Sequence, residues 1–189
     1  MSHSQQKKTL RKELLERRNS IGDEQYRRWS KAIIDRLEGL ELFREARTIH
    51  CYLSINERKE VNTLPLARKM IDRSVKLVVP ITIMEDLTLE HVELKSFDNV
   101  RYNEWGVPEP TGGETVPVSE LDLVVVPMVG GDEEGNRMGY GKGFYDRFLK
   151  VVDCPKIGLC FERCMVESLP VNSHDVPLDG IITEKRLIK

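Results

Sequence analysis

The spacing of apolar residues divides the chain into a helical opening and, after it, an alternation of strands and helices. Leu10, Leu14 and Leu15 recur at helical intervals. Tyr26, Trp29, Ile33, Ile34 and Leu37 do so again, with Gly39 as the expected stop, so the region from about 5 to 46 reads as helical. Residues 48–53 (TIHCYL) read as a strand, and Thr63 is placed as the N-cap of a helix through LPLARKMID. Strands are expected at 75–83 and at 87–94, the second from its strict alternation. A Pro/Gly-rich loop runs from about 103 to 119. Residues 121–129 (LDLVVVPMV), apolar without a break from Leu123 on, show the pattern of a strand buried on both faces of a parallel sheet. A glycine-rich loop and a short helix follow, then strands at 156–161 and 180–183. This order predicts an α/β fold: a single domain over 1–189, with a mostly parallel central sheet and helices on both faces, three-layered and Rossmann-like.

Composition narrows the chemistry. The 189 residues suffice for one sizeable core, and hydrophobic residues at 40% exclude general disorder. Lys and Arg number 29 against 31 Asp and Glu, a net charge of −2, so the basic excess of a nucleic-acid binder is missing. The longest apolar run, Leu123 to Val129, is seven residues and contains Pro127, far short of a membrane span of about 20. The opening MSHSQQKK lacks the apolar stretch of a secretory signal. Cys51, Cys154, Cys160 and Cys164 form no CxxC pair and no zinc spacing, which fits reduced thiols in a cytoplasmic protein. Small-molecule partners and a monomer or small homo-oligomer are expected.

The strongest chemical signal is GGDEEGNRMGYGKGFYDRFL, residues 130–149. It leaves the buried strand and enters a helix, the setting in which backbone N–H groups hold phosphate. Five glycines and two cations, Arg137 and Lys142, fall within residues 131–143. Glycine permits positive φ and a close approach of backbone to an anion. Lysine adds a point charge and arginine a planar fork. The loop is neither standard form. A Walker A motif needs glycine where Asn136 stands and Ser or Thr where Gly143 stands, and the dinucleotide fingerprint GxGxxG is here GxGxG. A phosphate-binding loop is expected, against the alternative of a glycine-rich turn with no ligand. Asp146, in the first helical turn, is either a partner of the helix dipole or a Mg²⁺ ligand beside the phosphates.

Other candidates carry paired readings as well. On a helical wheel Lys7, Arg11 and Arg18 share the side of Leu10, Leu14 and Leu15, while Lys8, Lys12, Glu13 and Glu16 take the other. Cations on a packing face either meet an anion or snorkel at its edge. The stretch NSHDVPLD sets His174, Asp175 and Asp179 among turn residues, as Asx-turn formers or as a carboxylate for a metal. Trp105, in EWGVPEP, either stacks on a flat aromatic ligand or caps the core. Glu60 is a receptor for a donor-rich heterocycle or a solvated surface group. His3, His50, His91 and His174 make no metal-ligand spacing, and the absence of GxSxG leaves a serine hydrolase unsupported.

Together these motifs resemble one family, the 5-formyltetrahydrofolate cyclo-ligases, also called methenyltetrahydrofolate synthetases. RMGYGKGFYDRFL, preceded by VVVPMVGGDEEGN, is similar to that family's signature. KKTLR is similar to its Lys-x-x-x-Arg opening, YLSINERKEVNT to its first strand and substrate-binding Glu segment, WGVPEP to its central loop, and LPVNSHDVPLDGIITE to its ending. The stretch between Ser54 and Glu60 is longer than the family's pattern, and Phe144 stands where tyrosine is common. The resemblance implies an ATP- and Mg²⁺-dependent conversion of 5-formyltetrahydrofolate to 5,10-methenyltetrahydrofolate, releasing ADP and phosphate through a phosphorylated formyl (iminium phosphate) intermediate. It implies that ATP is held by Lys7, Lys8 and Arg11 and by the loop residues Arg137, Met138, Gly139, Tyr140, Gly141, Lys142, Gly143, Phe144 and Tyr145. Of these, Tyr140 to Phe144 also face the reduced folate, with Leu53 and Glu60; the residue-level reading adds Trp105. It implies metal ligands at Asp146 and Asp175. Lys142 and Arg137 are the expected catalytic cations, since phosphoryl transfer asks mainly for positioning and charge neutralisation. An ATP-dependent small-molecule kinase and a non-catalytic nucleotide- or folate-binding regulator are the alternatives.

Overall fold

Leu123, Val124, Val125 and Val126 expose no surface at all, so the continuous apolar run lies in the middle of a sheet covered on both sides. The computed structural model describes residues 3–73 and 75–189. In chain order come helices α1 (His3–Asn19), α2 (Asp23–Gly39) and α3 (Glu41–Glu45), strand β1 (Thr48–Cys51) and helix α4 (Leu64–Asp72). Strands β2 (Lys76–Ile83), β3 (Thr88–Glu93), β4 (Val100–Tyr102), β5 (Pro108–Pro110), β6 (Leu123–Pro127), β7 (Gly130–Gly131) and β8 (Arg137–Met138) follow. Helix α5 (Phe144–Leu149) and strands β9 (Lys156–Leu159), β10 (Gly180–Ile182) and β11 (Leu187–Ile188) complete the set.

Seven strands form the central sheet in the order β11-β10-β9-β6-β1-β2-β3. The five inner strands run parallel; β3 pairs antiparallel with β2 at one edge, and β11 with β10 at the other. The mostly parallel α/β sheet expected from the sequence is therefore present, with antiparallel edges that the apolar pattern does not announce. After β1 the chain crosses through α4 to β2 on one side, and it later returns to place β6 on the other. The carboxyl ends of β1 and β6 thus diverge at a topological switch point, where open α/β sheets form their ligand crevice. Two small hairpins are present as well: β5, β7 and β8 fall in stretches expected to be loops, and β4 in a stretch given no element.

Helix α2 buries Tyr26, Ser30, Ile33, Ile34 and Leu37 and ends at Gly39, as its periodicity requires. In α1 only Leu14 and Arg18 are fully buried among the described residues. Thr63 precedes α4, but its side chain makes no capping bond to the helix. Its hydroxyl instead donates to the Tyr52 carbonyl at 2.7 Å and accepts from the Ser54 amide at 3.1 Å, while Asn62 accepts from the Leu64 amide at 3.2 Å. The threonine expected as a cap therefore ties the segment after β1 to the start of α4. No described helix is long and apolar enough to cross a membrane.

Candidate active site

The segments that leave β1 and β6 at the switch point enclose a cavity of about 330 Å³. Tyr52, Leu53 and Ile55 come from the first segment, Pro127 and the glycine-rich loop from the second, and Trp105 and Val107 from the β4–β5 turn. The walls are mainly apolar, the character of a site for a flat organic ligand. A second cavity of about 430 Å³ adjoins it, lined by Lys142, Arg147, Lys150, Asn172 and His174. Lys7, Arg11, Gly141 to Gly143, Asp146 and Asp175 line both. One lobe is therefore apolar, the other cationic, and the glycine-rich loop is their common wall.

Helix α1 crosses the site and is fastened at three levels, once to the segment carrying Asp175 and twice to the loop. Lys7 pairs with Asp175, Arg11 donates through Nε to the Gly139 carbonyl at 2.8 Å, and Arg18 donates through Nη2 to the Tyr140 hydroxyl at 2.7 Å. The shared face of cations and leucines is thereby explained: the cations meet a carboxylate, a carbonyl and a phenol. Gly141 has a φ of +96°, and a Cβ there would stand 3.1–3.2 Å from the Arg11 guanidinium. Glycine is thus required both for the conformation and for the close approach of Arg11.

Behind the loop, Tyr140 donates its hydroxyl hydrogen to Glu60 Oε1 at 2.5 Å, and Glu60 Oε2 accepts from the Ile55 amide at 2.7 Å. Arg18, Tyr140 and Glu60 form one path in which a phenol bridges a buried cation and a buried carboxylate. Burial works against the Arg18 charge, but Tyr140 and Glu60 outweigh it and its pKa is raised. Burial likewise raises the Tyr140 phenol, with Glu60 adding to the effect, so Tyr140 keeps its proton. Arg137 pairs with Asp146 at 2.5 Å; burial pushes its pKa down, and its Nε lacks a hydrogen-bond partner. Asp146 and Asp175 each face a chain cation, and no group of three His, Cys, Asp or Glu side chains able to hold a metal exists among the described residues. Two carboxylates beside a cationic lobe still fit a hard cation such as Mg²⁺ that arrives with phosphate, because that ion seldom uses an all-protein cage.

Residues 3–184 match the family model described as the 5-formyltetrahydrofolate cyclo-ligase family. The chain belongs to that family. Among cyclo-ligase relatives, 5-formyltetrahydrofolate cyclo-ligase of Mus musculus is 26% identical over 94% of this chain and 93% of its own length. The protein of the same name from Haemophilus influenzae is 26% identical over 95% and 98%. The solved structure of Aquifex aeolicus 5,10-methenyltetrahydrofolate synthetase superposes with a TM-score of 0.85 at 32% identity, covering 97% of this chain and 92% of that one.

Within this cyclo-ligase chain, Lys7, Arg11, Leu53, Glu60, Trp105, every residue from Arg137 to Asp146, and Asp175 line the apolar cavity. Lys8 is exposed and lines neither lobe. Sequence reasoning passed over Arg18 as a member of the Glu60 path and Arg147 and Lys150 as cations of the second lobe. Arg18 carried a signal, its place on the leucine face. Arg147 and Lys150 carried none beyond following the glycine-rich loop. His174, seen as a turn residue, faces the second lobe.

Proposed function

We propose that this protein converts 5-formyltetrahydrofolate to 5,10-methenyltetrahydrofolate, with ATP going to ADP and phosphate. The observation that carries this reading is the pair of adjoining lobes, apolar and cationic, sharing the Gly141–Gly143 wall. A flat folate fits the first and the phosphates of a nucleotide the second, so the transferable phosphoryl group meets the formyl group at the loop.

The chemistry explains the need for ATP. A formamide oxygen is a poor leaving group, so the γ-phosphoryl group moves to the formyl oxygen, the N10 amine attacks the formyl carbon, and phosphate departs with that oxygen. Lys142 and Arg137 offset the charge of the transferring group, and Lys7 and Arg11 hold the remaining phosphates. Glu60, fixed by Tyr140 and the Ile55 amide, receives N–H donors of the folate ring. Asp146 and Asp175 would hold Mg²⁺, which when bound adds neutralisation of the phosphates. Tyr52, Leu53 and Trp105 keep water from the activated carbon.

The test combines the protein with 5-formyltetrahydrofolate, ATP and Mg²⁺, following the near-ultraviolet absorbance of the methenyl product and free phosphate. A rise that needs all three components, with one phosphate per product, is expected. A stable phosphorylated product without free phosphate would make the protein a kinase, and binding without turnover would make it a regulator.

A further inference from the structure

Arg58 stands on the wall of the apolar lobe and lines only that lobe. Its guanidinium lies 5.6 Å from the Tyr140 ring centroid and donates through Nη2 to the Trp105 carbonyl at 2.6 Å. Among the described residues it has no other hydrogen-bond partner and no ion pair. Lys7, Arg137 and Arg11, which line the same cavity, differ: the first two face carboxylates and the third a carbonyl. Lys142, likewise without an ion pair among the described residues, belongs to the wall shared with the cationic lobe. The loop that carries Arg58 is held firmly. Glu60 accepts from the Ile55 amide, Lys59 donates to the Ile21 carbonyl, and Tyr26 donates to Asn56 at 3.1 Å. Arg58 is therefore a pre-placed planar cation on the wall of an apolar cavity, with most of its N–H fork unused, the geometry that pairs with a carboxylate.

We propose that Arg58 recognises a carboxylate of the ligand's glutamyl tail and so fixes which end of the folate points out of the cavity. The inference rests on the proposed folate reading. The ring system that carries the formyl group then lies toward Glu60 and the glycine-rich loop, and the charged tail leaves between Arg58 and Trp105. Arg58 is thus a specificity residue that acts in binding and not in the chemical step.

The test measures KM and kcat for 5-formyltetrahydrofolate and for its analogue with both glutamyl carboxylates methyl-esterified, in the wild-type protein and in Arg58→Gln. For the free acid, Arg58→Gln should raise KM about tenfold with kcat within twofold. Esterification should raise the wild-type KM to a similar extent and leave the KM of Arg58→Gln unchanged. Arg58→Lys should restore part of the loss. An equal rise for acid and ester would show that only the Trp105 tether had been lost, and an unchanged KM for the acid would show no contact; either overturns the assignment while the folate reading stands. No methenyl product from the wild-type protein would overturn the folate reading and this one with it.

Discussion

The Lys142 ammonium is exposed and makes no hydrogen bond or ion pair among the described residues, yet Lys142 lines both lobes. A side chain with nothing to hold in the free protein is available to a ligand. Lys142→Ala is expected to cut kcat by about 10²-fold or more and to change stability by less than about 0.5 kcal/mol, read from turnover and a urea titration. Gly141 gives the opposite pattern. An alanine there must adopt positive φ and push the Arg11 guanidinium away. Gly141→Ala should lose about 1–2 kcal/mol of stability and raise the KM for ATP, seen in the same two measurements. Wild-type stability in Gly141→Ala would mean that the loop relaxes around the methyl group.

Helix α1 is seated by the buried Leu14 and by three polar contacts, and the Arg18–Tyr140–Glu60 path is the most buried of those contacts. Removing the phenol hydroxyl leaves a buried guanidinium and a buried carboxylate each short of one partner. Tyr140→Phe should therefore cost about 1–3 kcal/mol, whereas Tyr145→Phe, which deletes a buried hydroxyl without a partner, should be neutral or stabilising. Paired urea midpoints decide this. Helix α5 has its own liability. It rests Phe148 on His50 and His91, with ring centroids 4.7 and 4.2 Å away. Burial, aided by His91, holds His50 well below the ordinary 6.5, and burial brings His91 to about 4 against the pull of Glu90. Both rings stay neutral in the fold, while the unfolded chain protonates each near pH 6.5. Unfolding takes up protons below that pH, so stability should fall as pH drops from 6.5 toward 4, by up to about 1.4 kcal/mol per unit per ring. Urea unfolding at pH 7.5, 6 and 5 measures the slope, and His91→Phe should remove about half of it.

At the scale of the whole molecule, the five parallel strands were legible because each lies in a largely apolar run, even the three-residue β10. The two- and three-residue strands of the β4–β5 and β7–β8 hairpins and of β11 were not, since pairing partners and not periodicity define them. The glycine-rich loop announced itself by composition. The apolar walls did not: Tyr52 and Pro127 fall in segments read as strands, and only the switch point turns them toward a cavity. The cations of α1 were visible, but what they meet lies too far along the chain for local reasoning.

That distance has a consequence for synthesis. The partners of Lys7, Arg11 and Arg18 lie 168, 128 and 122 residues further on. A nascent chain carries the charged stripe of α1 through more than a hundred residues of elongation before anything exists to receive it. A ribosome halted between residues 150 and 170 has made the glycine-rich loop but not the countercharge of Lys7, so the two lobes close into one site only after Asp175 has been made and has left the ribosome.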